Sequence, residues 1–264
     1  EACCNIGSVL SDQKKYQEAI TYFNKALKIN PNYDDANINL CELLTNTNID
    51  EAISRLKNYL IINPKSFLCS HMLGQLLEKT GVPNDAIKYY NMAIASNSNY
   101  YPPLNNLGLL YSKKDEFDKA IKIFSTGLKI CENSKQKTKG HGELYKNAGR
   151  LFYLTKDFGL ARLYLEKSIK IDPSCNKAQS QRLFLLNQIC DWSELDDLKT
   201  KLPQLGISTP SVDPFAMQVM EDHASRTLTR ISKYSLERHN EDPIPLPAKP
   251  KTKPNKLRIG YFSA

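Results

Sequence analysis

The side chains of this chain that could do chemistry form one column of amides. Asn5, Asn39, Asn106 and Asn147 recur at repeat-like intervals, Gln181 stands at the equivalent place further on, and Met72 interrupts the series. A carboxamide carries two N–H donors and an acceptor oxygen, so a row of them can pair with the backbone of an extended peptide in either sense. Each bond contributes only about 0.5–1.5 kcal/mol net, so the row must act collectively. Backbone contacts accept many sequences. This chemistry is binding, with the five amides as the expected peptide-binding residues.

No other group of residues points to catalysis, a cofactor or a metal. Seven cysteines are present; Cys3 and Cys4 are adjacent and Cys41, Cys69, Cys131, Cys175 and Cys190 are scattered. There is no C-x-x-C pair, and His71, His141, His223 and His239 do not stand near the thiols at ligand spacing. Zinc and a disulfide framework are therefore not expected. Free, mostly buried thiols fit a reducing, cytoplasmic (or nuclear) setting. Asp196 and Asp197 lack an aligned partner for acid–base work. Gly140 and Gly142 are not a phosphate loop, because no strand precedes them and no G-x-G-x-x-G follows. His223 and His239 read as surface or lobe-contact residues, Glu166 and Lys170 as an ordinary helix pair.

Charge and hydropathy exclude other classes. The chain is 41% hydrophobic, enough for a core, and carries a formal charge of +8. Its lysines are spread along the chain, and no base-reading pair of side chains recurs per repeat, so nucleic acid is not an expected partner. No run approaches the roughly 18 apolar residues of a membrane span. No secretory signal is visible, although residue 1 is Glu rather than Met.

A repeat must position the amide column. Ala19, Ala52, Ala86, Ala120 and Ala161 follow at steps of 33, 34, 34 and 41. Four residues after each comes a bulky side chain: Phe23, Leu56, Tyr90, Phe124 and Leu165. Upstream of each lies a small residue, Gly7, Cys41, Gly74, Gly108 or Gly149, followed three on by Leu10, Leu44, Leu77, Tyr111 or Phe152. The spacing predicts two amphipathic helices per unit, with small residues where they approach and bulky ones beside that contact. Pro31, Pro64 and Pro173 close three units, since proline cannot continue a helix; Ser98 and Glu132 occupy that place in the others. One such pair cannot bury its apolar stripe alone, so neighbours must stack.

This order of small, large and proline residues resembles the tetratricopeptide repeat (TPR). The resemblance covers five units over residues 1–175, the first without its opening residues. It implies an all-α, right-handed superhelical solenoid whose concave face carries the amide column. The second unit is one residue short around Thr45–Asp50. A seven-residue insertion near Asn133–His141 reads as an exposed loop. A chaperone-tail clamp is not expected, because Cys4, Ile38, Leu68 and Met72 fill the places where its cations would stand.

Beyond the repeats the pattern changes. A helix over 176–189 begins a partial sixth unit and helical connector, 176–240. Trp192 packs that connector against the last repeat helices, a short helix lies near 193–201, and turns fill 202–214. A longer helix follows over 215–238, capped by Asp213 before Pro214, with Met217, Met220, Ala224, Leu228, Ile231 and Leu236 tracing its apolar side. Residues 241–256 form a Pro/Lys-rich solvated linker. Residues 257–264 read as the first strand of an α/β, Rossmann-like lobe, so the chain reads as cut from a longer one.

Cys190-Asp191-Trp192, Pro214-Phe215 and the LRIGYFS run at 257–263, in that order after a TPR array, resemble the O-linked N-acetylglucosamine transferases and their SPINDLY-type relatives (glycosyltransferase family 41). The resemblance implies the substrate-recognition region of a protein O-glycosyltransferase. It implies an amide ladder that grips substrate peptide, and a UDP-GlcNAc or GDP-fucose donor for the parent protein. The catalytic groups would lie beyond Ala264, so the chain alone is expected to be inactive, with no cofactor of its own. Expected partners are extended polypeptides in the groove; pairing of convex faces would give a homo-oligomer. The competing reading is a non-enzymatic TPR adaptor.

Overall fold

The computed structural model describes residues 1–45, 47–191, 200, 202–209, 211–212 and 223–239. The predictions for Trp192, Asp196, Asp197, Asp213, Pro214, the first part of the 215–238 helix, the linker and the terminal strand lie outside these residues, as does the side chain of His239. The chain divides into two compact units, 1–192 and 193–264.

Among the described residues of the first unit eleven helices follow one another: α1 (Ala2–Asp12), α2 (Tyr16–Ile29), α3 (Asp34–Leu44), α4 (Ile49–Ile62), α5 (Phe67–Lys79), α6 (Pro83–Ser96), α7 (Pro102–Lys113), α8 (Phe117–Asn133), α9 (Lys139–Leu154), α10 (Phe158–Ile171) and α11 (Asn176–Gln188). No strand occurs among the described residues. Each odd helix from α1 to α9 packs on the even helix after it, and each of these also touches the next odd one. The even helices make no comparable contact with one another. The odd helices therefore form the closely spaced layer of the stack.

The small–large contact is present in every unit. The five alanines are fully buried, and Phe23, Leu56, Tyr90, Phe124 and Leu165 are at most 1% exposed. A Cβ added at Gly7, Gly74 or Gly108 would stand 2.6–2.7 Å from the ring of Phe23, Tyr90 or Phe124. At Gly149 it would stand 2.9 Å from Leu165 Cγ. Such gaps are too short for two carbons, so glycine is what lets the ring lie against the facing helix. In the second unit Cys41 takes this place, with Sγ 3.8 Å from the carbonyl of Ala52.

The turn inside each unit repeats as well. Lys14, Gly81, Asp115 and Lys156, each five residues before its alanine, have φ of 58–79°. The next residue's N–H closes a long bond back to the odd helix: Lys15 to Leu10, Val82 to Leu77, Glu116 to Tyr111 and Asp157 to Phe152, at 2.9–3.0 Å. This is the Schellman stop. The second unit, one residue short, replaces it with a tighter bond from Asn48 N to Leu44 O, 2.7 Å. Cys190 (φ 54°) and the bond from Asp191 N to Leu186 O, 2.9 Å, repeat the turn after α11. Asn48, Ser66 and Asp157 cap their helices by accepting from the backbone N–H three residues on.

The insertion is less of a loop than its composition implied. Only residues 134–138 lie between α8 and α9. The extra residues lengthen both helices, to 17 and 16 residues, and Glu132 at the proline position lies inside α8. Lys137 Nζ closes α8 by donating to the carbonyls of Cys131, Glu132 (3.1 Å) and Ser134 (3.0 Å). Thr138 opens α9, its N–H donating to His141 Nδ1 at 2.9 Å, and the imidazole stacks on Tyr101 at 4.7 Å. Gly140 and Gly142 sit in the first turn of α9.

In the second unit, turns over 202–208 lie against α12 (Ala224–His239). The buried side of this helix is not its apolar side. Leu228, Ile231 and Leu236 are about 45% exposed, whereas Arg230 is 1% exposed. Arg230 donates to the carbonyls of Leu205 (2.8 Å) and Leu202 (2.5 Å), and Lys233 donates to those of Ile207 (3.2 Å) and Thr209 (2.5 Å). A turn-rich segment leaves many carbonyls without ladder partners, and two cations satisfy them better than an apolar stripe could. His223 is exposed.

Candidate peptide-binding face

The amide column stands on the odd helices, one residue per unit: Asn5 on α1, Asn39 on α3, Met72 on α5, Asn106 on α7, Asn147 on α9 and Gln181 on α11. Asn39, Met72, Asn106 and Asn147 each precede a buried residue beside the small contact (Leu40, Leu73, Leu107 and Ala148 are at most 1% exposed), so helical geometry turns the column away from its own even helix. Asn5 is exposed, while Asn39, Asn106, Asn147 and Gln181 are half-buried. Met72 is 7% exposed and belongs to the core.

The structure does not bring the amides together as a free row. Asn39, Asn106 and Asn147 each donate to a side chain of the preceding odd helix. Asn39 Nδ2 reaches Ser8 Oγ at 3.2 Å and lies 3.7 Å from Cys4 Sγ. Asn106 Nδ2 lies 3.0 Å from His71 Nε2, and Asn147 Nδ2 donates to Asn105 Oδ1 at 2.9 Å. The partners Cys4, His71 and Asn105 stand immediately before the column residue of their own units, a second column whose signal is that register alone. Half of each amide is thus spent on joining units. On Asn39 and Asn147 the remaining N–H and the oxygen are what a peptide could use, whereas Asn106 Oδ1 also accepts from Asn105 Nδ2 at 3.5 Å.

Around His71 the polar groups are most closely linked. It is 8% exposed, and its Nδ1 lies 3.2 Å from Tyr100 Oη. Its ring meets Tyr100 edge-on at 5.5 Å and Tyr90 at 5.9 Å. Burial lowers its pKa to about 4, which keeps the imidazole neutral. Tyr90 donates to Glu78 Oε2 at 3.0 Å, and Lys113 of the next unit pairs with Glu78 Oε1 at 2.6 Å. At the far end Gln181 Oε1 is buried and has no hydrogen-bond partner.

The other polar residues are structural. Glu166 pairs with Arg162 (2.9 Å) and Arg182 (3.5 Å) rather than with Lys170, because those guanidiniums meet it from its own helix and from α11. Arg162 also reaches Asp191 at 2.7 Å. Cys4, Cys41, Cys69 and Cys131 are buried, Cys190 is exposed, and all seven cysteines are free. No cluster of three His, Cys, Asp or Glu side chains forms among the described residues, and no described helix is long and apolar enough to cross a membrane.

Comparison with known proteins agrees with this architecture. Tetratricopeptide-repeat family models match residues 1–33 and 102–174. Anaphase-promoting complex subunit 3 of Schizosaccharomyces pombe is 21% identical over 135 residues, 51% of this chain and 20% of that protein. The chain thus spans about a fifth of the length of the curated relative it matches. A tetratricopeptide repeat protein from Parabacteroides merdae superposes with a TM-score of 0.65 at 15% identity, over 91% of this chain and 93% of that one. The APC/C hetero-tetramer Cut9-Hcn1 gives 0.61 at 18% identity, over 87% and 42%. Among the described residues, the first unit is an all-helical solenoid of tetratricopeptide-repeat type.

Proposed function

We propose that the odd-helix layer binds extended polypeptide through its side-chain amides. The observation that carries this reading is the linked, half-buried set Asn105, Asn106 and Asn147 on one layer of the stack, in which Asn147 keeps an N–H and its oxygen unspent. Asn5, Asn39 and Gln181 extend the same column. Replacing both Asn106 and Asn147 by Ala should weaken binding of an uncharged, fluorescein-labelled Ser/Thr/Ala-rich peptide roughly tenfold or more, read by fluorescence anisotropy. Helicity by circular dichroism should stay near the parent's. Unchanged affinity would remove the ladder.

The finer reading is that this layer delivers protein substrates to a glycosyltransferase. It is supported by the order of CDW, PF and LRIGYFS after the repeats, the resemblance to glycosyltransferase family 41. On this reading the longer protein transfers a sugar from UDP-GlcNAc or GDP-fucose to Ser or Thr, and the isolated chain transfers none. An assay of both for sugar incorporation into the same peptide decides it. An adaptor role is the second reading, favoured by the likeness to two components of the anaphase-promoting complex, a multiprotein assembly. Peptide binding without transfer by the longer protein would establish it.

A further inference from the structure

The side chains between α5 and α9 form one directional chain of hydrogen bonds. Asn147 Nδ2 donates to Asn105 Oδ1 (2.9 Å), Asn105 Nδ2 to Asn106 Oδ1 (a long 3.5 Å) and Asn106 Nδ2 to His71 Nε2 (3.0 Å); His71 Nδ1 then faces Tyr100 Oη (3.2 Å). Each amide must present one donor and one acceptor along this line. Turning a single amide over would set two donors or two acceptors face to face. Only two arrangements satisfy every link of this line: the one described, which also lets Asn106 donate to Tyr90 Oη, and its complete reversal, which gives up that contact.

The histidine tautomer separates them. With the proton on Nδ1, Nε2 accepts from Asn106 and the donors all run toward α5. With the proton on Nε2, the imidazole donates to Asn106 and every amide inverts. In the first arrangement Asn147 Oδ1 accepts from no described residue, next in the column to Gln181, whose Oε1 also lacks a donor. Asn147 Oδ1 then offers an acceptor to a ligand's N–H groups. In the reversed arrangement Asn147 would offer N–H groups instead.

We infer that His71, rather than leaving a gap at Met72, is the positioning residue that sets the polarity of the amide row. Its Nδ1–H tautomer makes the Asn147 end an acceptor site for peptide N–H groups. This rests on the peptide-binding reading for its consequence but not for its geometry.

Two-bond 1H–15N spectra of the unsubstituted chain test the geometry without any ligand. The expected result is a neutral Nδ1–H tautomer at pH 7; a neutral Nε2–H tautomer would overturn the inference. His71→Phe keeps an aromatic ring but removes both nitrogens, whereas His71→Gln restores one acceptor and one donor. His71→Phe should shift the side-chain amide signals of Asn106 and also of Asn147. It should weaken binding of the fluorescein-labelled Ser/Thr/Ala-rich peptide about fivefold, with His71→Gln within about twofold of the parent. Unmoved Asn147 signals in a folded His71→Phe chain would refute the relay. If His71→Phe fails to fold, the tautomer and the His71→Gln affinity decide. Failure of the unsubstituted chain to bind the peptide would overturn the peptide-binding reading and the assigned role, while the tautomer still reports the geometry.

Discussion

At the scale of single residues, burial decides what each polar group can do. His71 is held neutral with a pKa near 4, below its ordinary 6.5, by desolvation. The unfolded chain therefore binds a proton that the folded one refuses. Stability should be highest above about pH 6.5 and fall as pH drops toward 4, by on the order of 3 kcal/mol from this group. Urea unfolding at pH 7 and pH 4.5, for the parent and His71→Gln, checks this: the pH dependence should be smaller in the variant. The thiols follow the same physics. Burial pushes Cys41, Cys69 and Cys131 up to about 12. Cys190 should react first with a disulfide reagent, and those three only on unfolding; fast labelling of Cys69 in the folded chain would contradict the packing.

At the scale of elements, the helical pair is set by one close approach and one stop. Gly108→Ala would push a carbon to 2.7 Å from Phe124, a fully buried ring. About 1–3 kcal/mol of destabilisation is expected, visible as a lower thermal midpoint. The turn responds in the opposite sense. Lys156 holds φ of 65°, a conformation glycine adopts without cost, so Lys156→Gly should leave stability unchanged or raise it by up to about 1 kcal/mol. Both follow from the repeated spacing, because the alanine register predicts which residue meets which ring.

At the scale of the whole molecule, the stack couples neighbours only. Cys131 lies in a core cluster with Phe124, whereas Cys41 lies in another with Leu40 and Leu56. Gly108→Ala should therefore speed labelling of Cys131 more than that of Cys41, read by mass spectrometry over time. Equal acceleration would mean that the array opens as one unit. The periodicity of small and bulky residues was enough to determine the helical pairs, their order and the odd-helix column carrying Asn39, Asn106 and Asn147, since one face of a helix is a property of spacing alone. What those amides bond to was not legible. His71 and Asn105 meet Asn106 and Asn147 across units, and no local pattern encodes a contact between helices 35 or 42 residues apart. The same holds for Arg230, buried on a helix that shows an apolar stripe in sequence, because carbonyls brought near by a turn created a demand for donors. Periodicity fixes faces; only packing decides which polar atoms find partners there.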